Sequence, residues 1–189
     1  MLSSLATPSR TKGIKSRHTP QGTSCLDVYK RQEQEAVGWG DASIHDFIED
    51  LGMGIMGVNG GSAGPLYGTL IGGLAEPLGE EAQIDGALLK KMLAGSLSSM
   101  EDITTAKVGD KTMMDALIPA VEAALAAPDE VKAVLDAAAL AAADGAKASE
   151  GFVSKFGRAR SYKEQTIGTP DAGAVSTALF FAGMASAIR

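Results

Sequence analysis

Apolar residues recur with a helical period along the chain from Ala42 onward. Near its start, four apolar residues at i, i+3, i+4 and i+7 define one face of a helix. They are Ile44, Phe47, Ile48 and Leu51. The same period predicts five further helices. Four of them are at 65–74, from about 85, at 113–125 and at 173–188. The remaining one is predicted from 128 to Phe152 and Phe156, with an interruption near Gly145. The pattern therefore predicts an all-α protein of about six helices, with no strand.

Polar, glycine-bearing segments separate the predicted helices at 57–65, 101–112 and 157–171, and a short turn lies at 76–79. Pro65 suits the first turn of a helix, where its missing N–H is not needed. Pro119 predicts a kink inside a helix. Asp110 or Thr112 is the expected N-cap of the helix after the second loop, and Asp171 is the expected N-cap of the last helix.

Small residues dominate the composition, with 31 Ala and 23 Gly among 189 residues and only 5% aromatics. A β-sandwich or barrel needs more β-branched and aromatic residues, so closely packed helices are favoured. Gly64, Gly68 and Gly72 recur every four residues and share one helix face. Each glycine costs about 1 kcal/mol relative to alanine, so this stripe predicts the close approach of a neighbouring helix.

Charge divides the chain into two parts. Residues 1–32 hold six basic groups and one acidic group, whereas residues 33–189 hold 11 basic and 22 acidic groups. The first part has no helical or strand period and lacks the apolar core of a secretory signal. We expect residues 1–40 to be a disordered basic arm of non-native origin, since 25–32 resembles translated cloning-site sequence. The folded domain is then expected at 41–189.

Net charge and cysteine content exclude several classes of function. The formal net charge of −6 argues against nucleic acid as a partner. The single cysteine, Cys25, excludes an intramolecular disulfide and a cysteine-built zinc site, and it fits a cytoplasmic protein. Residues 51–75 carry no charge, but nine of them are glycine and Pro65 interrupts the run. We therefore interpret them as buried helices and predict no membrane partner.

The three polar loops contain the residues suited to chemistry. The segment 60–64, Gly-Gly-Ser-Ala-Gly, lies at a helix start, where free backbone N–H groups can bind phosphate or the glycines can simply make a turn. The segment 109–112, Gly-Asp-Lys-Thr, differs from a Walker A motif in order, and no strand precedes it. Arg158 or Arg160 could bind a phosphate in bidentate fashion. No Ser/His/Asp set has a recognisable spacing, and His45 is interpreted as a surface residue.

Taken together, the loops are more specific than each alone. GGSAGPLYG at 60–68, VGDKTMMDALIPA at 108–120 and KFGRARSYKEQTIGTPDAGA at 155–174 resemble, in order and spacing, the L subunit of dihydroxyacetone (glycerone) kinase. The resemblance covers about 47–188. It implies an antiparallel barrel or bundle of six to eight helices with ADP or ATP at one end. It also implies a K subunit that carries a small ketose, and a phosphotransferase-system M subunit as a further partner that recharges bound ADP.

The resemblance also carries over binding positions. Gly60, Gly61, Ser62 and Ala63 match the glycine-rich loop that binds phosphate. Thr104 and Met113 match positions that border the adenine, although relatives often have glycine in place of Thr104. Arg158 matches the arginine that reaches the nucleotide in the family. It lies within Gly-Arg-Ala-Arg rather than the family's Gly-Arg-Ala-Ser. Asp171, Ala172 and Gly173 match the family's Asp-Pro-Gly turn beside the nucleotide, with alanine in place of proline.

One departure concerns Mg²⁺. The family binds two Mg²⁺ ions with an Asp-x4-Asp-x-Asp motif upstream of the glycine-rich loop. Asp41, Asp46 and Asp50 have a different spacing and lie too close to Gly60, so no metal ligand and no catalytic residue is assigned. We expect a domain truncated at its N-terminus, inactive alone and weak in Mg·ADP binding, because phosphoryl transfer depends on these ions. The alternatives are a non-catalytic binding or regulatory module of the same fold and a helical bundle without a ligand.

Overall fold

A computed structural model of the chain describes residues 43–58 and 61–188. In these residues it contains six α-helices, two 3₁₀ segments and no strand, which confirms the all-α prediction. The helices are α1 (Ile44–Met56), α2 (Ala63–Gly72), α3 (Gly86–Ile103), α4 (Met114–Ala126), α5 (Val131–Ala148) and α6 (Ala172–Ala187). The 3₁₀ segments are Ser149–Gly151 and Arg158–Thr166. The predicted basic arm at 1–40 lies outside the described residues.

Side-chain caps define three of the helix starts. The Ser43 hydroxyl accepts a hydrogen bond from the Asp46 N–H at 3.0 Å. Asp85 accepts from the Leu88 N–H at 2.7 Å, and Asp171 accepts from the Ala174 N–H at 2.8 Å. Each cap satisfies one N–H that a helix leaves without an intrahelical partner. The predictions of a helix start near Asp85 and of a cap by Asp171 are confirmed.

Three local predictions are wrong. Helix α5 runs through Gly145 without interruption and ends at Ala148, so Phe152 and Phe156 lie outside it. Helix α3 continues to Ile103, so the second loop begins at Thr104 rather than at 101. Met113, not Asp110 or Thr112, occupies the N-cap of α4, and it makes no side-chain cap. Thr112 lies one residue earlier, where its hydroxyl accepts the Met114 N–H at 3.2 Å.

Consecutive helices pack against each other. The pairs are antiparallel, since Gly52 of α1 lies near Gly72 of α2 and Gly145, late in α5, lies against Asp115, early in α4. The connections 57–62, 104–113 and 149–171 therefore lie at one end, which we call the loop end. The connections 73–85 and 127–130 lie at the other. Lys90, in the first half of α3, confirms the second grouping because its Nζ donates to the Ala127 carbonyl and, at 2.6 Å, to the Asp129 carboxylate.

The core combines a few large apolar side chains with many alanines. Leu70, Leu93, Met114, Leu117 and Phe181 are each about 1% exposed. Burying one such side chain contributes about 1.5–3 kcal/mol. Five alanines on α4 and α5 are completely buried between the large residues: Ala116, Ala120, Ala124, Ala138 and Ala142. The alanine excess is thus used to bring helix backbones close together.

The glycine stripe of α2 faces α1. A Cβ on Gly64 would lie 2.8 Å from the Val58 carbonyl oxygen, and one on Gly68 would lie 2.8 Å from the Met56 Cβ. Both distances are shorter than real Cβ contacts, so larger residues are excluded there. At Gly72 a Cβ would meet nothing within 4 Å, yet its backbone nitrogen closely approaches Gly52 of α1. The predicted close approach of a neighbouring helix is confirmed.

None of the helices in the described residues combines the length and the apolar character needed to cross a membrane.

Candidate functional site

The loop between α3 and α4 is folded around a buried carboxylate. Asp115, which is 1% exposed, accepts the Gly109 N–H and the Thr112 N–H, both at 2.6 Å. Gly109 has a φ of 96°, which only glycine adopts freely. These bonds hold Met113, which is 5% exposed, at the start of α4. One of the predicted adenine-bordering residues therefore has a fixed backbone.

A buried lysine joins this loop to the connection between α5 and α6. Lys111 is 4% exposed, and its Nζ donates to the Ser149 carbonyl at 2.7 Å and to the Thr169 carbonyl at 2.6 Å. Lys155 adds a second link, because its backbone N–H donates to the Asp110 carbonyl at 3.1 Å and its Nζ lies 2.5 Å from the Asp110 carboxylate. The two connections therefore form one bonded unit.

Asp171 lies within this unit. Its backbone N–H donates to the Ser149 hydroxyl at 2.8 Å, while its side chain caps α6. Burial raises the pKa of the Asp171 carboxyl, and the nearby Asp115 carboxylate raises it further. The Ala174 and Gly173 N–H groups and the Lys111 ammonium act in the opposite direction. The carboxyl is thus positioned by several bonds in a poorly solvated place.

A cleft of about 360 Å³ opens beside Asp171. It lies between the α5–α6 connection and the start of α6. Its walls carry one cation, one carboxyl group and several hydroxyl and amide groups, which suits a polar ligand. The lining residues used below are Lys111, Ala159, Tyr162, Thr169, Asp171 and Ala172.

The structure brings four of the predicted site residues together. A Cβ built on Gly173 would lie 3.3 Å from the Cβ of Met113, so the segment 171–173 packs directly against the start of α4. Ala172 is exposed on the cleft wall, while Asp171 and Gly173 are half-buried. Met113 and 171–173 therefore form one contiguous surface at the loop end.

The other predicted residues that the structure describes lie at the same end without joining this surface by hydrogen bonds. Gly60 is outside the described residues. Gly61, with a φ of 71°, and its successors Ser62 and Ala63 are exposed at the start of α2. Thr104 is half-buried at the end of α3, where its hydroxyl accepts the Ala106 N–H at 3.2 Å. Arg158 is exposed at the start of the 3₁₀ segment, next to Ala159 of the cleft wall.

Tyr67 connects the glycine-loop helix to the cleft helix. Its hydroxyl lies 2.6 Å from the Ser176 hydroxyl and 3.2 Å from that of Thr177, and it donates to the Gly173 carbonyl at 3.4 Å. Ser62 lies about one turn before Tyr67 on α2. The first half of α2 is therefore tied to the start of α6.

Sequence reasoning missed the residues that organise the site, namely Tyr67, Lys111, Asp115 and Ser149. The sequence did contain a signal for Lys111 and Asp115. They are opposite charges four residues apart at a predicted helix start, followed by an apolar run. The sequence interpretation gave this segment only a helix cap by Asp110 or Thr112 and assigned no role to Lys111 or Asp115. Ser149 and Tyr67 carried no signal, because their partners are 22 and more than 100 residues away.

Three carboxylates at the loop end already have partners within the protein. Both oxygens of Asp115 accept backbone N–H bonds, and Asp110 is paired with Lys155. Asp171 caps a helix. A separate group on α1, His45, Asp46 and Glu49, has ligand atoms within 4.8 Å of one another but stands at the protein surface. No Asp-x4-Asp-x-Asp motif occurs in the sequence.

Comparison with known proteins defines the class of this helical domain. The sequence matches the DAK2 domain over residues 24–186. The chain therefore belongs to the DAK2 domain family, and the predicted resemblance to the dihydroxyacetone kinase L subunit is confirmed at the level of the family.

Individual relatives are kinases or their subunits. The chain is 34% identical to the ADP-binding subunit DhaL of PEP-dependent dihydroxyacetone kinase 1 from Listeria innocua, over 76% of this chain and 68% of that one. It is 36% identical to dihydroxyacetone kinase 1 from Saccharomyces cerevisiae, over 78% of this chain and 24% of that one. It is 35% identical to D-erythrulose kinase from Mycolicibacterium smegmatis, over 64% of this chain and 21% of that one. The chain thus spans about a fifth to a quarter of the two larger kinases.

Proposed function

We propose that this chain is a nucleotide-binding subunit of a dihydroxyacetone kinase, which presents ADP or ATP to a small ketose held on a K subunit. The observation that supports this most directly is the contact between Met113 and the segment 171–173, beside a cleft lined by Lys111. The Listeria relative that shares this domain is named an ADP-binding subunit. The names of the larger relatives support a three- or four-carbon ketose as the acceptor.

In this proposal each loop binds a different part of the nucleotide. The N–H groups of the glycine-rich loop at 60–63 bind phosphate oxygens. Thr104 and Met113 border the adenine, and 171–173 form the wall beside it. Arg158, exposed beside the cleft, reaches the phosphates as a bidentate donor. The M subunit of a phosphotransferase system would be the partner when the donor is bound ADP.

We further propose that the chain alone binds Mg·ADP weakly and transfers no phosphoryl group. Asp115 and Asp110 at the loop end already hold backbone N–H groups and Lys155, and the described residues there do not repeat the spacing of the family's aspartate triplet. Without metal ions, the charge that develops on the phosphates is left without its main stabilisation.

Calorimetric titration with ADP, with and without Mg²⁺, tests the binding proposal. We expect a dissociation constant of about 100 µM or weaker, equivalent to about −5.5 kcal/mol, with little dependence on Mg²⁺. Binding in the low micromolar range that requires Mg²⁺ would contradict the absence of metal ligands. No binding at millimolar ADP would contradict the nucleotide site itself.

Two arginines of the same exposed segment give a matched pair of variants. Arg158→Ala should weaken ADP binding at least about tenfold, since a charge-assisted hydrogen bond contributes about 1.5–3 kcal/mol. Arg160→Ala removes an equally exposed charge two residues away and should leave affinity within about twofold. Equal effects of the two substitutions would mean that general charge, not Arg158, attracts the nucleotide.

Activity is tested by mixing the chain with a dihydroxyacetone-loaded K subunit and either ATP or a phosphotransferase donor. We expect no phosphorylated ketose from the unmodified chain. Replacing residues 1–40 with a segment that carries Asp-x4-Asp-x-Asp should restore turnover. A replaced chain that binds Mg·ADP tightly but still transfers no phosphate would favour the alternative of a non-catalytic module.

A further inference from the structure

Lys111 lies in a loop, yet its side chain is buried and bound by backbone groups. A lysine that is 4% exposed ordinarily needs a carboxylate partner, because an unpaired charge is costly to bury. In the described part of the chain, no carboxylate lies within salt-bridge distance of its Nζ. Two backbone carbonyls, of Ser149 and Thr169, accept its protons instead.

The backbone at Lys111 is strained as well. Its φ of 59° lies in the left-handed region, which costs a residue with a Cβ about 1 kcal/mol or more. Glycine would relieve this strain, as it does at Gly109 in the same loop, but glycine has no ammonium group. The strain is therefore tolerated at a position where the side chain has a defined task.

The two carbonyls bound by Lys111 belong to residues that connect directly to the first residue of the segment 171–173. Thr169 is two residues before Asp171, and Ser149 also accepts the Asp171 N–H through its hydroxyl. On the other side, Lys111 is two residues before Met113, which packs against Gly173. One ammonium group thus connects both walls of the proposed adenine site.

We propose that Lys111 is a positioning residue that fixes the segment 171–173 relative to Met113. This inference rests on the proposed nucleotide site for its functional consequence, although the positioning itself is a property of the free protein. The Nζ acts by holding two carbonyls, and it makes no bond to the nucleotide. Its removal therefore weakens recognition of the nucleoside as much as recognition of the phosphates.

The test compares Lys111→Met with Lys132→Met, which removes an exposed lysine paired only with Asp136 on its own helix. Amide hydrogen exchange of 167–174 should become about tenfold faster in Lys111→Met, which corresponds to about 1.4 kcal/mol, and should not change in Lys132→Met. This readout needs no ligand. Unchanged exchange in folded Lys111→Met would overturn the positioning role.

Nucleotide binding provides the second readout. Under conditions where both variants are folded, affinity for ADP and for adenosine should fall by the same factor, about tenfold, in Lys111→Met. A loss restricted to ADP would mean that Lys111 binds phosphate directly, which contradicts the proposal. If the wild-type chain binds neither ligand, the proposed function fails, whereas the exchange experiment still decides whether Lys111 positions the segment.

Chemical rescue separates positioning from general stabilisation. In a Cys25→Ser background, Lys111→Cys can be alkylated with 2-bromoethylamine in denaturant and refolded, which restores an ammonium group at nearly the same reach. We expect exchange and affinity to return to within about threefold of wild type, a difference below 1 kcal/mol. Reaction of the same thiol with methyl methanethiosulfonate, which forms a neutral methyl disulfide and releases methanesulfinate, should rescue neither, and equal recovery with both groups would refute a role for the ammonium.

A variant that retains the charge covers the case in which Lys111→Met does not fold. Lys111→Arg retains a buried cation, but its planar guanidinium has a different reach and donor geometry. We expect this variant to fold and to show faster exchange at 167–174 together with weaker binding of both ligands. Wild-type exchange and affinity in Lys111→Arg would contradict the requirement for this geometry.

Discussion

Gly145 is the position where one added carbon should have the largest effect on stability. A Cβ built there would lie 2.0 Å from the carbonyl oxygen of Asp115, whereas real Cβ atoms essentially never approach closer than 3.0 Å. Pro119, four residues after Asp115, has no N–H to donate to this carbonyl. The carbonyl therefore stands free of its helical donor at the point where α5 passes α4.

The expected loss of stability in Gly145→Ala follows from how far the two helices must move apart. Gly145→Ala must separate α4 and α5 locally by about 1 Å, the difference between 2.0 and 3.0 Å. A gap of about 0.5–1 Å forfeits a quarter to a half of the dispersion energy of each contact that it opens. The contacts at risk are those of the fully buried alanines on both helices, among them Ala116 and Ala142. Overpacking of this kind costs about 1–3 kcal/mol.

Gly183→Ala is the matched control. Gly183 also lies inside a helix, but a Cβ there would meet nothing within 4 Å. This substitution should therefore stabilise the protein by up to about 1 kcal/mol through helix propensity alone. Urea unfolding measures both variants, and with a slope of about 1–3 kcal/mol/M their midpoints should differ by about 1 M or more. A Gly145→Ala protein as stable as wild type would refute the argument from close helix contact.

Three further predictions concern single polar groups. The hydrogen bond from Lys155 lowers the pKa of Asp110. The stabilisation that Asp110→Asn removes should therefore be present above pH 3.8 and should vanish as the pH falls through the lower pKa of the folded protein, as measured by urea unfolding against pH. Burial raises the pKa of the Asp171 carboxyl, so the contribution of this group to the free energy of unfolding falls as the pH rises from 3.8 through the pKa of the folded protein. The stability of Asp171→Asn relative to wild type should therefore increase with pH, and a constant difference would contradict this. Tyr67→Phe should cost about 1 kcal/mol through its hydroxyl bonds, whereas Tyr162→Phe, at a residue 62% exposed, should be neutral by thermal unfolding.

Local patterns predicted the helices well because each signal lies within one turn. The Asp85 and Asp171 caps bond to groups three residues away, so sequence order alone identifies them. The glycine stripe of α2 likewise reports a close helix contact without naming the partner. Gly145 shows where this reasoning fails, since its glycine was interpreted as a break although it serves packing against Asp115 of another helix.

The sequence offered members for the candidate site but not the bonds that organise it. Motif order placed Met113 and 171–173 in one site, and the structure shows them in contact. The bonds that we propose to hold this contact run from Lys111 to Ser149 and Thr169, across separations of 38 and 58 residues. A lone sequence gives no means of pairing a buried ammonium with main-chain carbonyls so far away.

The alternation of the helices also determines the electric field at the loop end. Helices α2, α4 and α6 begin there, and α1, α3 and α5 end there. Each start carries about half a positive charge and each end about half a negative charge, so the macrodipoles of the six helices nearly cancel at any distance beyond one turn. A polyanion approaching this end therefore experiences no long-range attraction from the helices. Its capture depends on individual groups, the free N–H groups of a single helix start and the few cations beside it, which makes binding sensitive to substitutions that leave the fold intact.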